Sequence, residues 1–359
     1  MKRVILSVTN DISGDQRVLK VAHSCHNNGY DVFLIGRKLK KSLPLSLPFQ
    51  YKRLRLLFNH SALFYAEYNI RLFFILIFSK VDILISNDTD TLLANFLISK
   101  IRRKKLIFDA HELFPEVPEL THRKKVKYVW EKIEDWIFPH LKHCYTVCNS
   151  IADYYHQKYH INMKVVRNVP YWQKYFGEKF LDYPNKKIIL YQGAVNMGRG
   201  LEWVIDAMPL VEKAVLVIIG DGDILDKLKE KVNNRNLNEQ VFFLGRIAGA
   251  ELYKYTPSAD LGLCLLENKG LNYYYSLPNR IFDYLHAGVP VLATDFPEIS
   301  NIVKNSNTGI LVNHYEPEYL SETINNFFAN GFDTTHFEEI SKQFCWENEE
   351  KIVLEILSN

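Results

Sequence analysis

The chain has 359 residues and a net charge of +3, a length that overfills one hydrophobic core and suits two domains. Five cysteines do not make a disulfide framework at this length, and Met1-Lys2-Arg3 runs straight into an apolar strand-like segment rather than a secretory signal, so a reducing cytoplasm is expected. Residues 1–165 carry 26 Lys and Arg against 15 Asp and Glu, net +11, and residues 166–359 carry the balancing −8; two such bodies are expected to meet different partners.

In chain order, VILSVT (4–9) reads as a buried strand, followed by the loop NDISGD and an amphipathic helix to about Asn28, where Gly29 stops it. DVFLIG (31–36), VDILIS (81–86), KLIFDA (105–110) and HCYTVC (143–148) are further strands, each with a helix-like stretch behind it. Among them LFYAEYNIRLFFILIF (63–78) is apolar but short, and Glu67 and Arg71 interrupt it. It is not read as a membrane span; a core helix is preferred over an exposed interfacial one. Residues 167–187, rich in aromatics, Pro and Lys, read as an interdomain connection. The plan then repeats with KIILYQG (187–193), AVLVIIG (214–220), QVFFLG (240–245), ADLGLCLL (259–266), VPVLAT (289–294) and GILV (309–312), and the chain is helical from about Phe337. Strands alternating with helices predict two doubly wound α/β domains with parallel sheets covered on both faces. Ligands of such sheets bind beyond the strand carboxyl ends, here along a common cleft, so those loops are the ones to read.

SLPNRIFDYLHAGVP (276–290) is the most pointed of them. Arg280 and Asp283 stand one turn apart on one helix face, a cation suited to a diphosphate and a carboxylate suited to ribose hydroxyls. An intrahelical surface ion pair is the plainer alternative. Gly193 to Gly200 has Walker-like spacing, but Arg199-Gly200 replaces the Lys-Ser/Thr ending, which excludes a P-loop NTPase. A glycine loop with Arg199 at a helix start still suits a diphosphate; a solvated Arg is the alternative. Asp88-Thr89-Asp90 and Asp221-Gly222-Asp223 read as turns and helix caps rather than metal triplets. Cys144 and Cys148 with His140 and His143 lack zinc spacing, so no metal and no cofactor is expected. No nucleic-acid motif accompanies the basic half.

QGAVNMGRGLE, IIGDGD, VFFLGRI, ADLGLCLL, SLPNRIFDYLHAGVPVLATDFPE and FCWENEE together resemble glycosyltransferase family 4, the retaining GT-B enzymes. The likeness is strongest over 188–302 and looser through GDQRVLKVAHSCHNNGYDV and DAHELFPE. It implies two Rossmann-like domains with a cleft between them. Residues 1–167 would bind the acceptor, 168–340 the nucleotide-sugar donor, and a helix within 341–359 would pack back toward the first domain. It implies that Arg199, with Arg280, stabilises the leaving diphosphate. His111 would hydrogen-bond the transferred sugar; a satisfied structural His is the alternative. Asp283 stands where the family's second motif glutamate binds ribose. The first glutamate would fall on Tyr275, a departure that leaves the sugar contact to Asn272 or to backbone near Tyr273–Ser276. Gly14, Gly193, Gly200, Gly245, Arg246 and Ser276 complete the donor side, and Asp15 and Arg17 the acceptor side.

The resemblance implies a metal-independent, hexosyltransferase-type enzyme of cell-surface polysaccharide biosynthesis. It would move sugar from a UDP- or GDP-linked donor to a saccharide or lipid-linked acceptor. A nucleotide-sugar epimerase or hydrolase of the same fold, or a non-catalytic nucleotide-sugar-binding subunit, would differ in consuming donor without acceptor or not at all. The basic half beside an aromatic-rich stretch also suits an anionic membrane surface on the cytoplasmic side, through Lys38, Lys40 and Lys41 or through Arg102 to Lys105.

Overall fold

The computed structural model describes residues 1–120, 122–173 and 179–359. It divides into two compact units, Met1–Asn168 with Gly270–Asn272 and Trp346–Asn359, and Val169–Lys269 with Tyr273–Cys345. Within the connection read at 167–187, residues 174–178 lie outside the described residues, and the described part forms no helix or strand before Lys187.

The first unit is built on a parallel sheet of seven strands: β1 (Arg3–Asp11), β2 (Asp31–Arg37), β3 (Gln50–Leu54), β4 (Ile83–Asn87), β5 (Lys105–Ala110), β6 (His143–Thr146) and β7 (Lys164–Val165). Their order is β3-β2-β1-β4-β5-β6-β7. Helices α1 (Gln16–Asn27), α2 (Ser61–Phe78), α3 (Thr89–Arg102), α4 (Lys124–Ile137) and α5 (Asn149–Tyr159) make the crossovers. Alternation along β1 feeds two cores, as a strand covered on both faces must. Val4, Leu6 and Val8 pack with Val18, Val21 and Cys25 of α1. Ile5 faces the other way, toward Tyr68, Leu72 and Leu76 of α2 and Ile98 of α3.

The second unit repeats the plan with β8 (Lys187–Gln192), α6 (Leu201–Ala207), β9 (Ala214–Ile219), α7 (Leu225–Asn234), β10 (Val241–Gly245), α8 (Gly249–Leu252) and β11 (Leu261–Cys264). After α9 (Leu271–Tyr274), whose first two residues belong to the first unit, come α10 (Arg280–His286), β12 (Val291–Thr294), α11 (Pro297–Asn305), β13 (Gly309–Val312), α12 (Pro317–Asn330) and α13 (Phe337–Gln343). The strand order, β10-β9-β8-β11-β12-β13, reproduces the first six strands of the other sheet.

The last helix, α14 (Trp346–Ser358), belongs to the first unit, while residues 341–345 stay with the second. Trp346 is fully buried and its indole N–H donates to Ser24 Oγ of α1 at 2.8 Å. Arg167 pairs with the buried Glu349 at 3.1 Å, and Lys105 donates to the carbonyls of Ile356 and Leu357 at the helix C-terminus.

Two expected strands come out shorter. HCYTVC stops at Thr146 because Cys148 already stands at the entrance of α5, and ADLGLCLL pairs only over Leu261–Cys264. Helix α2 divides its surface. By length and mean hydropathy, 1.4, it matches a membrane-crossing helix, yet Phe64, Tyr68, Leu72 and Leu76 are buried and its other side is not.

Candidate functional site

In the second unit the strand order reverses between β8 and β11, the place where a doubly wound sheet opens a binding crevice. The loops after β8 and β9 meet there backbone to backbone. Gly220 has φ +155°, and a Cβ on it would lie 1.8 Å from the carbonyl oxygen of Gly193, so any side chain is refused. Tyr191, at the end of β8, is fully buried and its hydroxyl donates to the Ala194 carbonyl at 2.6 Å, which fixes the start of the glycine loop.

Helix α10 is pinned to the same strand. Its Tyr284 is fully buried, donates to the Leu190 carbonyl at 2.8 Å, and lies so close over Gly262 that a Cβ there would be 2.5 Å from the ring. The pinning aims Arg280 and Asp283 at the carboxyl end of β8. The Arg280 guanidinium lies 4.5 Å from the centroid of Tyr191, below Gly193, and Asp283 accepts from the Gln192 amide at 3.2 Å. Arg280 is 8% exposed, and its Nη1 is buried with no acceptor. A buried guanidinium with an unspent donor calls for an anion.

Arg199 comes to the same place from the glycine loop. Its guanidinium is 4.9 Å from the centroid of Tyr273, and its Nε is likewise buried and unpartnered. The Cys264 thiol, at the end of β11, senses both cations: burial pushes it up to about 11, with Arg280 and Arg199 pulling it back. Lys269 adds a third cation beside Gly198, held at 3.0 Å by Glu267.

The first unit holds a different constellation, where its own strand order reverses between β1 and β4. Arg17 is buried, grips Asp109 through Nε and Nη2 at 2.6–3.1 Å, and donates from Nη1 to the Val166 carbonyl at 2.8 Å. Asp109, fully buried at the end of β5, also meets His111 Nε2 at 3.1 Å, while His111 Nδ1 is 3.3 Å from Asp88. Arg17, Asp109, His111 and Asp88 thus form one chain of contacts, in which burial raises the Asp88 carboxyl well above its ordinary value against the pull of His111. Burial alone would lower the His111 pKa, but Asp88 and Asp109 raise it to about 9, so the ring is an imidazolium at neutral pH. Burial would raise the Asp109 carboxyl, yet Arg17 and His111 hold it down at about 2. Two more buried carboxyls, Asp90 against Thr9 and Glu134 against Thr89, are each pushed up to about 7 by burial.

With this geometry in place the chain can be set against known proteins. A family model described as glycosyl transferases group 1 matches residues 186–330, and one described as Glycosyltransferase Family 4 matches residues 15–170. The chain belongs to the group 1, family 4 glycosyltransferases. The chain spans less than half the length of the curated relatives it first matches. Among them, α-monoglucosyldiacylglycerol synthase of Streptococcus pneumoniae is 32% identical over 108 residues, which cover 30% of this chain and 23% of that one. Among solved structures, sucrose-phosphate synthase from Thermosynechococcus elongatus superposes with a TM-score of 0.80 at 15% identity, covering 100% of this chain and 98% of that one. Anabaena HepE in complex with UDP-glucose superposes with a TM-score of 0.73 at 14% identity over the whole of both chains. The fold is therefore GT-B.

Arg199, Arg280, Asp283, Gly193 and Gly200 are brought together in the second unit. Gly245 is tied to them through its carbonyl, which accepts from Gly220 at 2.8 Å, and Arg246 stands exposed beyond it. Other expected residues are committed elsewhere. Asn272 sits in the first unit, accepting from the Leu113 amide at 2.9 Å and donating to Glu112 at 3.1 Å. The Ser276 hydroxyl donates to the Tyr273 carbonyl at 2.8 Å. Asp15 caps α1 by accepting from the Val18 amide at 3.2 Å, and Arg17 belongs to the buried network. Both ring nitrogens of His111 are likewise turned to carboxylates, and Gly14 lies exposed at the loop tip. Asp88 stands at the N-cap position of α3, but its side chain makes no capping hydrogen bond there and accepts from the His111 amide at 2.7 Å. Nor does Asp221 or Asp223 cap α7, whose N-cap position is Ile224. Tyr191, Asp109 and Lys269 are site-shaping residues that sequence reading passes over.

The raised His111 pKa predicts a pH signature. Its stabilising charge is fully present below the unfolded value near 6.5 and is lost as pH rises through about 9. Denaturant unfolding of the chain and of its His111→Gln variant between pH 6 and 10 should show their stability difference shrinking across that window. A difference independent of pH would mean the ring is neutral throughout.

Proposed function

We propose that this chain is a retaining, metal-independent glycosyltransferase that takes a sugar from a UDP- or GDP-linked donor to a saccharide or lipid-linked acceptor, working in the cytoplasm or on the inner membrane face. The observation that carries the reading is the buried, unpartnered Nη1 of Arg280 beneath Gly193, one turn from Asp283. A diphosphate supplies the missing acceptors for Arg280 and Arg199, and Asp283 accepts from ribose hydroxyls. Cleavage of the anomeric C–O bond leaves charge on the terminal phosphate, which the preorganised guanidiniums stabilise more in the transition state than in the bound donor. The acceptor oxygen bonds to the same face of the sugar, and its proton goes to the departing phosphate. In this reading Arg199 and Arg280 take up the leaving charge, so the reaction needs no metal ion. The UDP-glucose bound to the HepE neighbour and the lipid product named for the streptococcal relative support donor and acceptor classes.

Calorimetric titration of UDP and GDP into the chain and into Asp283→Asn tests the donor site. The amide keeps one acceptor oxygen and no charge, so roughly 1.5–3 kcal/mol of binding should be lost. Equal affinities would return Asp283 to a structural partner of Gln192.

A further inference from the structure

We infer that the outer face of α2 is a docking surface for an anionic lipid bilayer, on which the first unit lies without crossing it. Leu63, Ile70, Phe74 and Phe78 follow one another along this face at helical spacing and are 55–85% exposed, with the small exposed Ala66 among them. The opposite stripe of α2 is buried in the core, and the Tyr68 hydroxyl donates to the Val8 carbonyl at 2.6 Å. The helix is therefore apolar on two sides. Only one of these is explained by the fold, and an exposed apolar stripe of this length marks an interaction surface. Because the inner side is committed to the core, the helix can lie on a membrane but not span one.

Charge selects the occupant. At the C-terminal end of α2, Arg102 donates to the Leu76 carbonyl at 3.0 Å and to that of Ser79, which draws the end of α3 against it. Lys80, Lys100 and Arg103 stand exposed around that junction. At the other end, the Arg37 guanidinium covers Phe64 at 4.5 Å, and the exposed Lys40 and Lys41 follow it. The one acid on α2, Glu67, is spent on the amides of Leu57 and Phe58 and on Arg71. An apolar stripe with cations at both ends matches acyl chains beneath anionic headgroups. A second copy of the chain fits worse, because parallel or antiparallel pairing of α2 would set cations against cations.

The inference deepens the membrane-facing part of the function proposed above and rests on it only for the acceptor. Its test needs no donor, so loss of one reading leaves the other standing. The full chain is sedimented with phosphatidylglycerol or phosphatidylcholine vesicles at low and high salt. Binding to phosphatidylglycerol alone, released by salt, is expected. Ile70→Ser/Phe74→Ser/Phe78→Ser should bind at least about ten-fold more weakly with an unchanged melting temperature, since all three side chains are exposed. Lys100→Gln/Arg103→Gln should weaken binding and flatten its salt dependence. Equal pelleting with both lipids at low salt, or full binding by the triple variant, would overturn the proposal. So would a concentration-dependent dimer that the triple variant abolishes, which would assign the face to a second copy.

Discussion

Asp109→Asn is expected to destabilise the first unit by about 3–5 kcal/mol, the cost of removing one partner from a buried ion pair. Arg17 is 3% exposed, and after the change it would keep only neutral acceptors, one amide oxygen and the Val166 carbonyl, in place of a carboxylate. The His111 imidazolium loses a partner as well. Such a loss is a large part of the 5–15 kcal/mol that typically separates folded from unfolded domains. Denaturant unfolding followed by a probe in the first unit measures it. Arg17→Met/Asp109→Leu should lose less than either single change, because no charge is left buried alone. A loss under about 1 kcal/mol in Asp109→Asn would mean that water or another group already compensates Arg17.

Arg199→Ala is expected to lower the transfer rate by a factor corresponding to about 3 kcal/mol, as loss of one preorganised oxyanion partner does elsewhere. The fold should survive, because Arg199 is only half-buried and rests on the face of Tyr273 rather than in the core. The effect should fall on kcat more than on KM, since the charge it meets grows as the sugar departs. Turnover within about threefold of wild type, well under 1 kcal/mol, would remove Arg199 from the leaving-group site.

The sheets were legible because strands buried on both faces are unbroken runs of Val, Ile, Leu and Phe, and helices between them force parallel order. Strand β3 was not, because it lies on an edge and four of its five residues, Gln50 to Arg53, are polar or surface-facing. Strand β7 has two residues and no pattern to read. In the site, Arg280 and Asp283 could be read because one helix places both. Tyr191 could not, since an aromatic in a buried strand signals only core; its roles under Arg280 and on the Ala194 carbonyl arise from tertiary packing. Asp15 followed by a helix is the local signature of an N-cap, and its side chain does cap α1. Arg17 and Asp109 stand 92 residues apart, so nothing local announces their pairing. Asn272 was expected among the donor contacts, but residues 270–272 join the first unit, where its amide serves Leu113 and Glu112.

On the proposed reading, Arg280 beneath the glycine loop and Arg199 within it receive the diphosphate of a sugar donor and release it only when the sugar moves to an acceptor. Release of nucleoside diphosphate from UDP- and GDP-sugars, followed in excess chelator with and without membrane lipid and saccharide extracts as acceptors, tests it most directly. Release from one donor that depends on acceptor, with label appearing in the acceptor, is predicted. Release that proceeds equally without acceptor, or that stops in chelator and returns with Mn²⁺, would contradict the account.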